Sequence, residues 1–307
     1  MRLHKTMPKL TYLSIFLLIV AISFSSCSDD DGVNSDPALN IFETAEATTE
    51  FRTLAQALED TELDDVLRTQ ENLTVFAPTN QAFEALPNGY LEGLNDNQLS
   101  QILQYHVISG QIASSDLTAE QAVESLLDDA IYVTLEDGEV TVNNAASVIN
   151  ADIEATNGII HAIDGVLLPN SFQNVVELAS KNYNLSTLVS LVADADLVST
   201  LEGDGPFTVF APTNEAFEEV SGTLAALSAE QVREVLTYHV VPAEALSSSL
   251  EDGATVTTVQ GEDISVSVGG GVTLNNNANV TTADIQGMNG VVHVIDAVLL
   301  PPSYSQN

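Results

Sequence analysis

The chain has 307 residues, 45% of them hydrophobic, with one cysteine, no tryptophan and a formal net charge of −37. A single thiol excludes a disulfide framework and a cysteine-based zinc site. Only seven Lys and Arg stand against 44 acidic residues, which excludes the clustered cations that release counterions from nucleic acid. Acidity of this order implies solubility and display to open water and says nothing about fold.

Arg2, Lys5 and Lys9 precede an apolar run from Leu10 to Phe24 that meets Ser25-Ser26-Cys27. This is the layout of a secretory signal, too short to favour a spanning helix. Cys27 after two small residues resembles the lipobox of bacterial lipoproteins, with Phe24 where leucine is usual, and that resemblance implies acylation of Cys27. Ser28-Asp29-Asp30-Asp31-Gly32 follows and is similar to the surface-export signal of Bacteroidetes lipoproteins. The implied location is the outer membrane with the chain exposed at the cell surface; the periplasmic face and secretion are the alternatives. Residues 1–26 are thus expected to be a signal peptide and 27–37 an acidic linker. Beyond the signal only Arg52, Arg68, Lys181 and Arg233 are basic. No D-x-[DN]-x-[DN]-G loop occurs, so the carboxylates are read as solvated surface, and no metal or cofactor is expected.

Thr74-Val75-Phe76-Ala77-Pro78-Thr79-Asn80-Gln81-Ala82-Phe83 opens the recognisable part of the chain and returns at Thr208 to Phe217 with one change, Gln81 to Glu215. Tyr105-His106 returns as Tyr238-His239, and Asn157 to Asp164 returns as Asn289 to Asp296. The spacing between copies drifts from 134 to 133 to 132 residues, so a whole domain is duplicated with two small loop differences. A unit this long lies outside solenoid periods and can bury its own core. In the first copy Tyr132-Val133-Thr134-Leu135 and Glu139-Val140-Thr141-Val142 flank Asp137-Gly138, a hairpin signal. Asn170-Ser171-Phe172 is the only connection between copies, short enough to imply touching domains.

In the second copy, residues 174–180 and 186–192 carry apolar side chains at helical spacing, and Phe207-Thr208-Val209-Phe210 alternates as a strand that Pro212 ends. Thr213 or Asn214 caps a short helix through Phe217, and Ser228 to Gln231 has capping-box form. The helix so opened puts Val232, Val235, Leu236 and His239 on one face and ends at Tyr238-His239. The β-branched runs at 254–259, 264–268, 271–274 and 290–296 predict strands broken by Gly and Asn turns. Each unit is therefore α+β.

The T-x-F-A-P-T-N-x-A-F box, the central Tyr-His and the closing run at Ile159 to Pro169 and Val291 to Pro301 resemble the motifs of the fasciclin, or FAS1, domain. The resemblance implies two tandem FAS1 domains, residues 38–170 and 171–302 with a tail at 303–307, each a β-sandwich wedge of about seven strands decorated by helices. It also implies a role in cell-surface or matrix adhesion. In animal matrix relatives the Tyr-His pair and an Asp-Ile pair are implicated in integrin adhesion. The matching positions are Tyr105, His106, Asp152, Ile153, Tyr238, His239, Asp284 and Ile285.

The residues themselves favour structural roles for these motifs. Phe76, Phe83, Phe210 and Phe217 are core-sized, Pro78 and Pro212 stop a strand, and Asn157-Gly158 and Asn289-Gly290 read as turns. His161 and His293 sit among Ile and Val, where a histidine more often bonds a buried backbone group than a metal. No H-E-x-x-H, G-x-S-x-G or phosphate-binding glycine loop is present, and no catalytic residue is expected. The expected function is a non-enzymatic, lipid-anchored adhesion module meeting a cell-surface, matrix or polysaccharide ligand, with homophilic contact as one form. The alternative is a surface protein that captures a glycan or small apolar ligand for a transporter. The binding surface is expected where the copies differ, in loops at 117–129 and 244–252.

Overall fold

The computed structural model describes residues 38–304, which form one compact unit. Cys27, the signal and the acidic tract lie outside the described residues, as do 305–307.

Each copy begins with helices that cover one face of its sheet. Asn40 caps the helix Ile41–Ala47 by accepting from the Glu43 amide, while the Glu43 carboxylate accepts from the Asn40 amide. This reciprocal pair satisfies two donors that a helix start leaves open. Asn174 and Glu177 repeat the box ahead of the helix Val175–Ser180. The helices Arg52–Asp60 and Ser186–Asp194 follow and bury Leu54 and Leu58, and Leu188 and Val192.

The first copy contains strands β1 (Leu73–Pro78), β2 (Val107–Ser109), β3 (Glu120–Glu124), β4 (Ala130–Glu136), β5 (Glu139–Val142), β6 (Ala146–Ala155) and β7 (Gly158–Ile163). The second contains β8 (Phe207–Pro212), β9 (Val240–Val241), β10 (Thr255–Thr257), β11 (Asp263–Val268), β12 (Val272–Leu274), β13 (Ala278–Gly287) and β14 (Gly290–Ile295). The orders are β2-β1-β7-β6-β5-β4-β3 and β10-β11-β12-β13-β14-β8-β9. The β1–β7 and β8–β14 pairs are parallel and the rest antiparallel. Parallel strands are covered on both sides, which explains why the box and the closing run read as continuous apolar stretches.

The long strands β6 and β13 give the sheet its shape. Each runs ten residues, pairs with one neighbour near its start and with β7 or β14 along most of its length, and shifts register twice. The bulges bend the strand, so each copy has two core regions. Phe42, Phe51, Leu58, Val75 and Ile160 pack between helices and sheet, while Phe76, Tyr105, Ile131, Val142 and Ile163 pack between the folded halves of the sheet. The second copy repeats both regions.

Thr213 caps the helix Asn214–Glu219, and Ser228 forms the expected box ahead of Ala229–Tyr238. Two expectations change. The stretch 117–129 is not only loop, since Glu120–Glu124 forms edge strand β3 with alternating exposure. The run expected at 254–259 pairs over Thr255–Thr257 only. Among the described residues no helix is long and apolar enough to cross a membrane.

Candidate functional site

Tyr105 and Tyr238 end their helices with no exposed surface, and His106 and His239 are 1% exposed. The Tyr105 hydroxyl donates to the Ala130 carbonyl at 2.8 Å and accepts from Asn143 Nδ2 at 2.9 Å. Tyr238 does the same with Asp263 and Asn275. The imidazole of His106 donates through Nδ1 to Ile102 O at 2.7 Å and accepts at Nε2 from the Leu167 amide at 2.9 Å. His239 bridges Val235 and Leu299 in the same way. Each ring thus ties a helix end to the segment after the closing strand, and this bonding requires the neutral form. Burial lowers both imidazoles to a pKa of about 4, against a smaller raising effect of the helix carbonyl.

The Asp-Ile pairs belong to a different part of each copy. Asp152 and Asp284 occupy the left-handed region, with φ of 56° and 60°, at the bulges of β6 and β13. The Asp152 carboxylate accepts from the Ser114 amide at 2.8 Å and from the Ser114 hydroxyl, while its own amide donates to His161 Nδ1 at 3.2 Å. His161 Nε2 then donates to the Ile112 carbonyl at 2.8 Å. Asp284, Ser247, His293 and Ala245 repeat this arrangement. The Ser114 hydroxyl and amide hold the Asp152 carboxyl below its ordinary value. At Asp284 burial works the other way, and the bonds from Ser247 together with His293 outweigh it. Ile153 and Ile285 are half-buried beside the bulges and pack against the helix-side cores. Among the described residues the side chains of the Tyr-His pair and of Asp152 and Asp284 share no hydrogen-bond partner.

The Asn-Gly pairs do more than turn the chain. Asn157 Oδ1 accepts from the Ile41 amide at 2.8 Å, and Nδ2 donates to the Leu67 and Gln70 carbonyls, both at 2.8 Å. Asn289 makes the matching bonds to Val175, Leu201 and Gly203. Asn80 and Asn214 of the box likewise tie neighbouring helices to the strand-to-helix corner through Thr49 and Thr53, and Tyr183 and Thr187. These four side chains act as internal clamps. Their paired recurrence is the sequence signal that marked them, although turn chemistry for Asn157 and Asn289 and helix capping for Asn214 were the roles legible there.

A residue that counted only as a charge in the sequence proves central. Lys181 of the second copy is 3% exposed and donates from Nζ to the Tyr105 hydroxyl of the first at 3.2 Å and to Asn170 Oδ1. Its Nζ lies 5.2 Å from the centre of the Tyr105 ring. Asp129 accepts from the Asn170 amide at 2.9 Å and from Asn170 Nδ2 at 2.6 Å, completing the network. Burial lowers the amine to about 8, with the Asp129 charge opposing. Among the described residues no group of three or more His, Cys, Asp and Glu could hold a metal ion.

Fold and side-chain geometry together define a class: tandem seven-stranded α+β modules whose repeated motif residues are mostly taken up by internal bonding. The fasciclin domain model matches residues 49–169 and 183–301. Over 90% of its length the chain is 29% identical to human periostin, and over 87% it is 29% identical to the transforming growth factor-beta-induced protein ig-h3 of Sus scrofa. It spans only 32% and 40% of those two proteins. The protein sll1483 of Synechocystis is 40% identical over 51% of this chain and 88% of its own length. Among solved structures, a FAS1 domain pair from the insect cell adhesion molecule Fasciclin I superposes with a TM-score of 0.63, at 20% identity, over 83% of this chain and 98% of that one. The chain belongs to the fasciclin family, as two tandem FAS1 domains.

Proposed function

We propose that the chain is a non-enzymatic adhesion module, lipid-anchored at Cys27 and displayed at the cell surface, that meets a cell-surface, matrix or polysaccharide ligand. The observation that carries this reading is the fate of the titratable motif residues. All four histidines of the two domains bond backbone groups within the fold, which leaves none of them free to serve as the general base of a catalytic site. The insect protein whose FAS1 domain pair has this fold is a cell adhesion molecule. The burial of Tyr105, His106, Tyr238 and His239 argues against direct contact of these side chains with a partner, and Asp152, Ile153, Asp284 and Ile285 remain the members of the motif with accessible surface.

Beads coated with the purified chain test the reading through retention on cells of the same strain, on their extracted polysaccharide and on beads of the same kind. Retention at least several-fold above uncoated beads is expected on one of the three surfaces, and none above background sinks adhesion. Labelled palmitate incorporated by the parent chain and lost in Cys27→Ala is expected of the anchor. Incorporation that survives the substitution removes it.

A further inference from the structure

The surface between the two copies carries two aromatic residues at positions where the repeats have diverged. A cleft of about 410 Å3 is lined on one side by Glu120, Tyr132, Thr134, Glu136 and Asn144 of the first copy. On the other side stand Ser180, Lys181, Asn182, Tyr183 and Ser186 of the second. The Tyr132 and Tyr183 rings meet edge to face, 5.6 Å between centres at 87°. The position of Tyr132, whose amide donates to Asn143 Oδ1, is held in the second copy by Ser265, whose amide donates to Asn275 Oδ1. The position of Tyr183, whose carbonyl accepts from Asn214, is held in the first copy by Thr49, whose carbonyl accepts from Asn80. Lys181 and Asn182 likewise match Ala47 and Thr48. The cleft thus draws on both copies, and at these positions each copy carries a residue its repeat lacks.

We infer that this cleft binds one unit of a neutral, hydroxyl-rich saccharide. The inference rests on the adhesion reading and names a ligand class and a site for it. The volume falls in the range of about 300–1,000 Å3 usual for small-molecule sites, and junctions between domains are a favoured place for them. The lining suits a sugar better than other ligands. Tyr183 is half-exposed, and a ring whose face carries negative charge density attracts the C–H face of a pyranose. Asn144, Thr134, Ser180 and Ser186 can each both donate and accept, as sugar hydroxyls do, while Glu120 and Glu136 only accept. Asn182 Nδ2 already donates to the Tyr132 hydroxyl at 3.1 Å, which steadies the floor of the cleft. An anionic ligand would meet the two glutamates and the strongly negative chain. A cationic one would be drawn by the two glutamates but would sit beside the buried Lys181 amine, and spermidine tests it. A neutral ligand needs no charge partner and is met by the hydroxyl and amide groups of the lining.

The full chain is titrated with cellohexaose, maltohexaose, laminarihexaose and, as a cationic control, spermidine, each to about 10 mM. Binding is followed by calorimetry and by the NMR shifts of the Asn144 and Asn182 side-chain amides. At least one hexasaccharide is expected to bind and to move those two signals. Tyr183→Ala is expected to weaken it by about tenfold or more, and Tyr183→Phe, which keeps the ring, by less than about threefold. Glu120→Gln, at an exposed position, provides a second variant should Tyr183→Ala fail to fold by circular dichroism, and is expected to weaken binding by about threefold or more. The inference is overturned by hexasaccharides that all fail to bind, by binding insensitive to both variants, or by spermidine taking the cleft in their place. The bead assay separates the two readings. Adhesion that persists without any saccharide binding leaves the module adhesive and the cleft wrongly assigned. Saccharide binding at the cleft without adhesion leaves the site and removes the adhesive role.

Discussion

Gly158 and Gly290 open the closing strands because a neighbouring backbone leaves no room for a side chain. A Cβ at Gly158 would stand 2.1 Å from the Leu73 carbonyl oxygen and 2.8 Å from Ile41 Cδ1, and one at Gly290 would stand 2.1 Å from the Phe207 oxygen. The clash is with the parallel partner strand itself, which cannot yield without breaking its own bonds. Gly158→Ala is therefore expected to cost about 2–3 kcal/mol, at the upper end of overpacking, read as a lower urea midpoint at unchanged m-value. A cost below 0.5 kcal/mol would mean that β1 moves freely. The buried histidines make a separate, pH-dependent contribution. Their pKa falls from the ordinary 6.5 to about 4 on folding, so between these values the unfolded chain binds more protons. The contribution is complete above pH 6.5 and declines as pH falls toward 4, by roughly 3 kcal/mol per histidine. His106→Gln can donate to Ile102 and accept from Leu167 without titrating. The stability gap between parent and variant is expected to narrow steadily from pH 7 to pH 4.5 in urea titrations, and a constant gap would contradict the assignment.

At the scale of elements, the bulged strands explain both the wedge and what the sequence left hidden. The box, the hairpin around Asp137-Gly138 and the capping box at Ser228 were legible because each depends on neighbours a few residues away. Strands β6 and β13 were not, because their alternation is interrupted where Asp152 and Asp284 enter the left-handed region and because Asn, Asp and Thr break up their apolar runs. Strand β3 escaped for a related reason: Glu120-Gln121-Ala122-Val123-Glu124 lies at the sheet edge and carries little apolar signal. The bulge is held by side chains 38 residues apart, Ser114 and Asp152, and no local pattern announces such a pair. Asp152→Ala removes the acceptor and leaves at φ 56° a residue that tolerates the left-handed region less well than Asp. It is expected to destabilise the first copy by about 1–2 kcal/mol and to speed hydrogen exchange at the Ser114 amide at least tenfold. Unchanged exchange there would show that the segment is held by other contacts.

At the scale of the whole molecule, Lys181 joins the two copies, and its chemistry determines how the pair responds to pH. The amine titrates at about 10.5 unfolded and about 8 in the fold. The charged form is therefore disfavoured by folding, and this cost, about 3 kcal/mol at most, is full below pH 8 and fades as pH rises toward 10.5. What the residue supplies in return is buried volume: the side chain is 3% exposed, and the bonds of Nζ to Tyr105 and Asn170 fix its direction. Replacing a buried charge by an apolar group of similar length is often neutral or stabilising, whereas deleting the volume leaves a cavity. Lys181→Met is thus expected to melt within a few degrees of the parent at pH 7 and to lose the gain in stability between pH 8 and 10. Lys181→Ala is expected to cost about 2 kcal/mol or more and to split a single calorimetric transition into two as the copies unfold separately. If the methionine variant falls as far as the alanine variant, the hydrogen bonds to Tyr105 and Asn170, and not the filled volume, hold the copies together.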